Sequence, residues 1–343
     1  MFSYLKFPII SFILGLALAG ILSWMQNHQW VLVFHSLIIV GALCILEISL
    51  SFDNAIVNAV VIQKMNPVWK KRFLLWGMLI AVFGMRFLLP LVIAALAGGI
   101  NLFEAFQLAT QNSARFSELM QQSHQAVNWF GGTFLVLVAL HFFLNPLKTV
   151  HFIPGLENSL QYLSKIRLIK YLILMVILLS VFIQIAEIEK SLFLKFSLYG
   201  LITYIVVHAI SEYLGDENSR CVKGLSAGLG LFIYLEVLDA SLSFDGVIGA
   251  FAMTRQLSEM MIGLSVGAFF VRGLTIYLVD HQKIKQFKFL EHGAFYSLFL
   301  LAFFMLFDSI IHFPEVVIGS SGAIIILASF FWSIHIDRQT RAR

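Results

Sequence analysis

The sequence predicts an all-α polytopic membrane protein of about ten transmembrane helices, built around two inverted three-helix repeats whose helices break at a pair of acidic motifs. Three observations predict this fold class. Hydrophobic residues make up 59% of the 343 and charged ones only 12%, against ~25% charged in a soluble domain, and the mean hydropathy is +0.89. Apolar runs recur along the chain at the ~20 residues an α-helix needs to cross a bilayer. Finally, one acidic phrase occurs twice inside such runs: Ser-Leu-Ser-Phe-Asp-Asn at 49–54 and Ser-Leu-Ser-Phe-Asp-Gly at 241–246.

Taken in order, the first span, 7–26, follows Lys6 and contains Ala17-Leu18-Ala19. Its apolar run exceeds the ~7–15 residues of a signal-peptide core, so an uncleaved helix is expected. The second span, 31–62, carries Glu47, Asp53 and Asn54, and the third, 73–98, carries Arg86. Polar residues at 99–128 predict an external loop or surface helix before a fourth span at 129–146. Pro146 and Pro154 mark 147–166 as an internal connection, followed by spans at 167–186 and 191–212. The seventh span, 223–254, carries Glu236, Asp239 and Asp245; the eighth, 258–280, carries Arg272; spans at 291–312 and 315–336 complete the set. The chain thus reads as one transmembrane domain over 1–343, with a first repeat at 31–146, connecting helices at 147–222, a second repeat at 223–312, and a last helix with a basic tail at 313–343.

The formal net charge of +4 would suggest a nucleic-acid partner in a soluble protein, but here basic residues set topology. With ten spans, 17 Lys and Arg fall on the side of the N-terminus and 4 on the other. That asymmetry predicts that both termini are cytoplasmic. No basic run with interleaved aromatics is present, so no nucleic-acid partner is expected. Cys44 and Cys221 stand alone without CxxC spacing and read as packing residues, and the methionines are scattered rather than arranged for copper.

The repeated phrase belongs to a longer match. Leu46-Glu47-Ile48-Ser49-Leu50-Ser51-Phe52-Asp53-Asn54 aligns with Leu238-Asp239-Ala240-Ser241-Leu242-Ser243-Phe244-Asp245-Gly246 at an offset of 192. Gly77 and Arg86 in the next span match Gly263 and Arg272, and Gly132-Thr133-Phe134 matches Gly293-Ala294-Phe295. Three successive spans therefore recur. The units begin five crossings apart, an odd number, so they run in opposite directions through the bilayer, as in secondary transporters that bind substrate near the midplane.

Ionisable groups within membrane spans are costly and mark pathways or paired sites. Five acids (Glu47, Asp53, Glu236, Asp239, Asp245) face two arginines, Arg86 and Arg272. The arginines are expected as counter-ions, one acid–arginine pair in each half, and a divalent cation would neutralise most of the remainder. Glu47 and Asp53 lie six residues apart, about 120° around a regular helix, so they converge only if the helix breaks. Each 32-residue span would measure ~48 Å as a straight helix, which also favours a break. Oxygen ligands suit Mg²⁺, Ca²⁺ or Mn²⁺, with Asn54, Asn58, Ser51 and Ser243 as neutral donors. Of the histidines, His141 lies deepest in a span and is expected to be hydrogen-bonded within the bundle; His35, His208 and His292 fall near span ends.

The two acidic phrases, Glu236-Val237-Leu238-Asp239 and the paired arginines resemble the integral membrane family of the tellurium resistance protein TerC, and more closely its domain-of-unknown-function branch. The resemblance covers residues 35–145 and 225–310. It implies membership of the lysine-exporter-like superfamily, a plasma membrane location (the bacterial inner membrane), and export of a divalent cation, Mn²⁺ foremost, in exchange for protons. It also implies that Glu47, Asp53, Asp239 and Asp245 are ion-site acids, with Asn54 beside the first aspartate. Where better-known members follow the second aspartate with Ser-Ile-Pro, this chain has Gly246-Val247-Ile248-Gly249, without the neutral ligand and the helix-breaking proline.

The expected function is therefore a transporter with no resident cofactor, whose partners are the bilayer and its metal cargo. Two other classes remain. An intramembrane aspartyl hydrolase could use Asp53 and Asp245 as a shared-proton pair, though no Gly-x-Gly-Asp or nucleophile motif is present. A non-transporting membrane subunit of a metal-stress complex would need a larger soluble docking surface than these loops offer.

Overall fold

The computed structural model describes residues 2–77, 79–146, 148–166, 168–215, 228–254, 256–281 and 286–341. Among them the chain is all-helical, with no strand. Eight helices are long and apolar enough to cross a membrane: Tyr4–Gln26, Trp30–Leu50, Pro67–Gly98, Ser113–Phe143, Glu187–Tyr213, Leu257–Asp280, Leu290–Phe307 and Val317–Ile336. The expected fifth span is the shorter apolar helix Ile169–Gln184, and the expected seventh is Leu229–Met253, with its three acids. The expected start of the second repeat at 223, Cys221, and the basic residues Arg167, Arg220, Lys223, Arg255, Lys283, Lys285 and Arg343 lie outside the described residues.

Helix α1 (Phe2–Asn27) lies against α2 (Trp30–Leu50) and α12 (Leu257–Asp280), with most of its apolar surface facing outward. α2 gives way to α3 (Phe52–Gln63) at Ser51, whose φ of −100° and ψ of 14° leave the helical region. Polar side chains cause the break. The Ser51 hydroxyl turns back to Glu47 at 2.7 Å, and the Asn54 N–H donates to the Asp53 carboxylate at 2.8 Å rather than continuing the ladder.

A short α4 (Pro67–Arg72) leads through two π-helical segments, Phe73–Gly77 and Ile80–Leu88, into α5 (Leu89–Gly98). Pro90 supplies a reason for the wide turn before it: its ring has no N–H to give and would clash with the carbonyl four residues back. α5 stops at Gly99, whose φ of +62° suits glycine, and Ile100 N–H returns to Ala95 O at 3.0 Å. α6 (Leu102–Gln111) begins with a reciprocal Asn101–Glu104 cap.

α7 (Ser113–Phe143) starts well before the expected residue 129. Asn112 caps it by accepting from Arg115 N–H at 3.2 Å, and no proline or glycine interrupts 113–130, so the helix extends through its polar first half. The stretch Gly131–Leu140 is wholly enclosed, mainly between α10 (Glu187–Gly215) and α13 (Leu290–Phe307). α8 (Pro154–Leu163) lies within the connection, and α9 (Ile169–Gln184) precedes α10. α11 (Leu229–Met253) runs unbroken through the second acidic phrase. The expected break there is absent, because Gly246-Val247-Ile248-Gly249 lacks a proline and each N–H can stay in the ladder. α14 (Glu315–Arg341) packs on α13 and touches α2 and α3.

The packing is reciprocal. α2 lies against α12, while α11 lies against the π-helical stretch; α3 meets α13, while α11 meets α7. α2 and α3 are thus flanked by α12 and α13, and α11 by the π-helical stretch and α7.

A buried carboxylate anchors the connection. Glu157 is 0% exposed and accepts from Lys148 Nζ at 2.7 Å, Phe152 N–H at 3.1 Å, Ile153 N–H at 3.2 Å and Tyr296 O–H at 3.0 Å; His292 Nε2 stands 3.5 Å away. Burial alone would raise its pKa, but the Lys148 ammonium and the bonds around it more than offset this and hold the carboxyl below its ordinary value of 4.5. A depressed pKa stabilises the fold above the unfolded value and loses that contribution as pH falls through the folded value. Wild-type protein should therefore unfold at a higher temperature than Glu157→Gln at pH 7, and the gap should close as pH drops below about 4. A gap unchanged between pH 7 and pH 3.5 would count against the latch.

Candidate functional site

The two acidic phrases meet where α2, α3, α11, α12 and the π-helical stretch converge. Glu47, 2% exposed, accepts at Oε1 from both Arg86 Nη2 and Ser51 Oγ. Arg86 also donates through Nη1 to Ala81 O at 2.6 Å, so the π-helical turn supplies a carbonyl to its own arginine. Across from this pair, a Cβ at Gly246 would lie only 3.0 Å from Glu47 Oε2. A side chain at the end of the second phrase would thus crowd the carboxylate of the first. Gly267 is tighter still, with room for a Cβ only 2.5 Å from that of Glu47.

Asp239 on α11 accepts from Asn58 Nδ2 on α3 at 2.7 Å. A cavity of about 40 Å³ lies beside this pair, bordered by Asn54, Asn58, Arg86, Asp239, Ser243 and Arg272. It has room for a few water-sized species, each needing about 10–15 Å³. Two of its oxygens are orphans: Asn54 Oδ1 and Asn58 Oδ1 are buried without a hydrogen-bond partner. Both carboxylate oxygens of Glu236 are in the same condition, and Gly77 on the π-helical stretch brings its backbone so near that a Cβ would stand 2.8 Å from Glu236 Oε1. Buried polar groups normally find partners, so four unpaired acceptors close together set this part of the bundle apart.

Two of the expected site residues have unexpected partners. Arg272 makes no ion pair among the described residues; it donates through Nη2 to Phe73 O and stacks its guanidinium 4.3 Å from the Phe73 ring centroid. Among the described residues Arg272 thus has no hydrogen-bonded acid partner like that of Arg86; the widened turn at Phe73 offers it a carbonyl instead. Asp53 is the second departure. It lines a different cavity from Asp239, and Ser297 Oγ on α13 donates to its Oδ2 at 3.0 Å. A separate cavity of about 20 Å³ adjoins it. Asp53 and Asn54 are neighbours in sequence, but ~100° of rotation sends them to different cavities. The side chain of Asp245 lies outside the described residues.

His141 and His208 meet edge to face, with centroids 4.6 Å apart, beside a larger cavity of about 620 Å³ that also takes in Lys64 and Glu212. They belong to neither acidic cavity. Among the described residues no group of three His, Cys, Asp or Glu side chains is arranged to hold a metal; the donors at the Asp239 cavity are instead carboxylate, amide and hydroxyl oxygens. Cys44 is buried and free. Sequence reasoning named Asn58 as a neutral donor but missed Ser297 and the Phe73 carbonyl. No motif signals Ser297, and a backbone carbonyl leaves no trace in side-chain chemistry.

An all-helical chain with many membrane-length apolar helices, and with ionisable groups sealed between them, defines a multi-pass membrane protein. The chain belongs to the family described as Protein of unknown function (DUF475), which matches residues 52–340. The match runs from the start of α3 almost to the end of α14; it fits the expected domain-of-unknown-function assignment and does not extend to the TerC family or the wider superfamily. No curated protein and no solved structure matches the chain.

Proposed function

We propose that this protein is a transporter that exports a divalent metal cation, Mn²⁺ foremost, through the chamber at Asp239. The observation that carries the reading is the pair of orphan amide oxygens, Asn54 Oδ1 and Asn58 Oδ1, bordering one small cavity with the Asp239 carboxylate. Oxygen donors that lack hydrogen-bond donors are suited to a hard cation. Charge agrees. Setting Asp53 aside in its own cavity leaves four acids (Glu47, Glu236, Asp239, Asp245) against Arg86 and Arg272, a balance of −2 if all ionise, which one divalent ion neutralises.

The reciprocal packing of the two halves supports an inverted-repeat arrangement with substrate bound between them. The resemblance to the TerC family supports export, proton exchange and a bacterial plasma membrane location. The asymmetry of basic residues supports ten crossings with both termini cytoplasmic. The protein acts in this reading as a carrier rather than an enzyme.

Uptake of Mn²⁺, Ca²⁺, Mg²⁺ and Zn²⁺ by liposomes containing the purified protein, with and without a pH gradient, tests it. Saturable flux of one ion, Mn²⁺ first, is expected. Folded protein that moves none of the four would sink the proposal and favour a partner-dependent role.

A further inference from the structure

We propose that Asp53, Ser297 and the glycine-lined wall of α14 form a binding site for one alkali cation, sodium, separate from the Asp239 chamber. The inference stands on its own geometry and does not depend on the transport reading.

Asp53 is 7% exposed, and no Lys, Arg or His lies within ion-pair distance of it among the described residues. Its bonds come from neutral donors only, Asn54 N–H at Oδ1 and Ser297 O–H at Oδ2. A buried carboxylate without a counter-charge is strongly disfavoured and is relieved either by a proton or by a bound cation; the oxygen-lined space beside it favours the cation. The adjoining cavity of about 20 Å³ holds one water-sized ion, since such a species needs about 10–15 Å³.

The lining fits an alkali ion. Ser49, Ser297 and Ser321 border the cavity with Asp53, together with the apolar Leu242, Leu301 and Ile318. Among the described residues no nitrogen or sulfur side chain borders it, which suits a hard ion. Among the described residues one carboxylate borders the cavity and balances one positive charge; a divalent ion would keep an uncompensated charge against the leucine wall. The strong field of a carboxylate with few co-ligands favours sodium over the larger potassium.

The wall is shaped for this space. A Cβ at Gly322 would come within 2.5 Å of Ser297 Oγ and 3.8 Å of Asp53 Oδ2, and one at Gly319 within 3.5 Å of Ser49 Oγ. Both glycines lie on α14, outside the two three-helix units, so the site is completed by a helix that neither repeat contains.

Thermal unfolding of the full-length protein in detergent, titrated with NaCl, KCl or choline chloride at constant ionic strength, tests the proposal. Sodium should raise Tm saturably, on the order of 5 °C, with potassium weaker and choline inert. Bound ²²Na⁺ should approach one per chain. Asp53→Asn should abolish both signals, Ser297→Ala and Gly322→Ala should weaken them, and Asp239→Asn should retain them. Equal responses to the three salts, or a sodium response that persists in Asp53→Asn, would overturn the assignment. Should Asp53→Asn fail to fold, sodium titrations of Ser297→Ala and Gly322→Ala that match wild type would overturn it equally.

Discussion

Arg86→Met is expected to destabilise the protein by about 3–5 kcal/mol, the cost of leaving one member of a buried ion pair without its partner. Glu47 and Arg86 are 2% and 6% exposed. Glu47 Oε1 receives both the Arg86 guanidinium and the Ser51 hydroxyl. Removing the guanidinium leaves a carboxylate held by one hydroxyl, with Gly246 and Gly267 pressed so close that the side chain has little room to seek water. It also strips the Ala81 carbonyl of the donor that reaches it inside the π-helical turn. The double variant Glu47→Met with Arg86→Met removes both charges at similar volume and should regain most of the loss, because neither charge then has to be desolvated. Equilibrium unfolding of the three proteins in one detergent checks this. A single variant no less stable than the double would show that the pair does not hold these helices together.

Asp239→Asn is expected to bring metal flux in liposomes to background while the protein remains at least as stable as wild type. The substitution keeps the shape and the contact with Asn58 but takes away the only carboxylate that borders the chamber among its described residues. A cation entering would find amide and hydroxyl oxygens and two arginines, a lining that repels it. Stability should not suffer, since removing a buried anion lifts a desolvation penalty. Asn58→Leu should weaken transport by about 10- to 100-fold, as loss of a group that orients a ligand does. Flux assays paired with thermal unfolding distinguish a lost site from a lost fold. Undiminished flux in Asp239→Asn would remove the chamber from the mechanism.

Much of this was legible in the sequence for a physical reason: desolvation acts on composition over windows of about 20 residues, so the apolar helices announce themselves. Helix ends were less visible. α7 begins at Ser113 because an asparagine cap and an unbroken run of helix-compatible residues carry it past the polar segment that hydropathy assigns elsewhere. The two phrases also look equivalent as text. Yet α2 and α3 part at Ser51 while α11 continues, a difference set by which hydroxyls and amides find backbone partners, and by the missing proline after Asp245.

The sequence by itself determined that this is a bundle of apolar helices and that Glu47, Asp53, Glu236 and Asp239 would be its costly interior groups, because burying a charge is unfavourable wherever the chain puts it. Only the tertiary structure decided their company. Glu47 takes Arg86, Asp239 takes Asn58, Arg272 takes a carbonyl, and Asp53 turns to Ser297 in a cavity of its own. Partnership depends on which way each helix is rotated against its neighbours, and at ~100° per residue two adjacent letters can serve different sites.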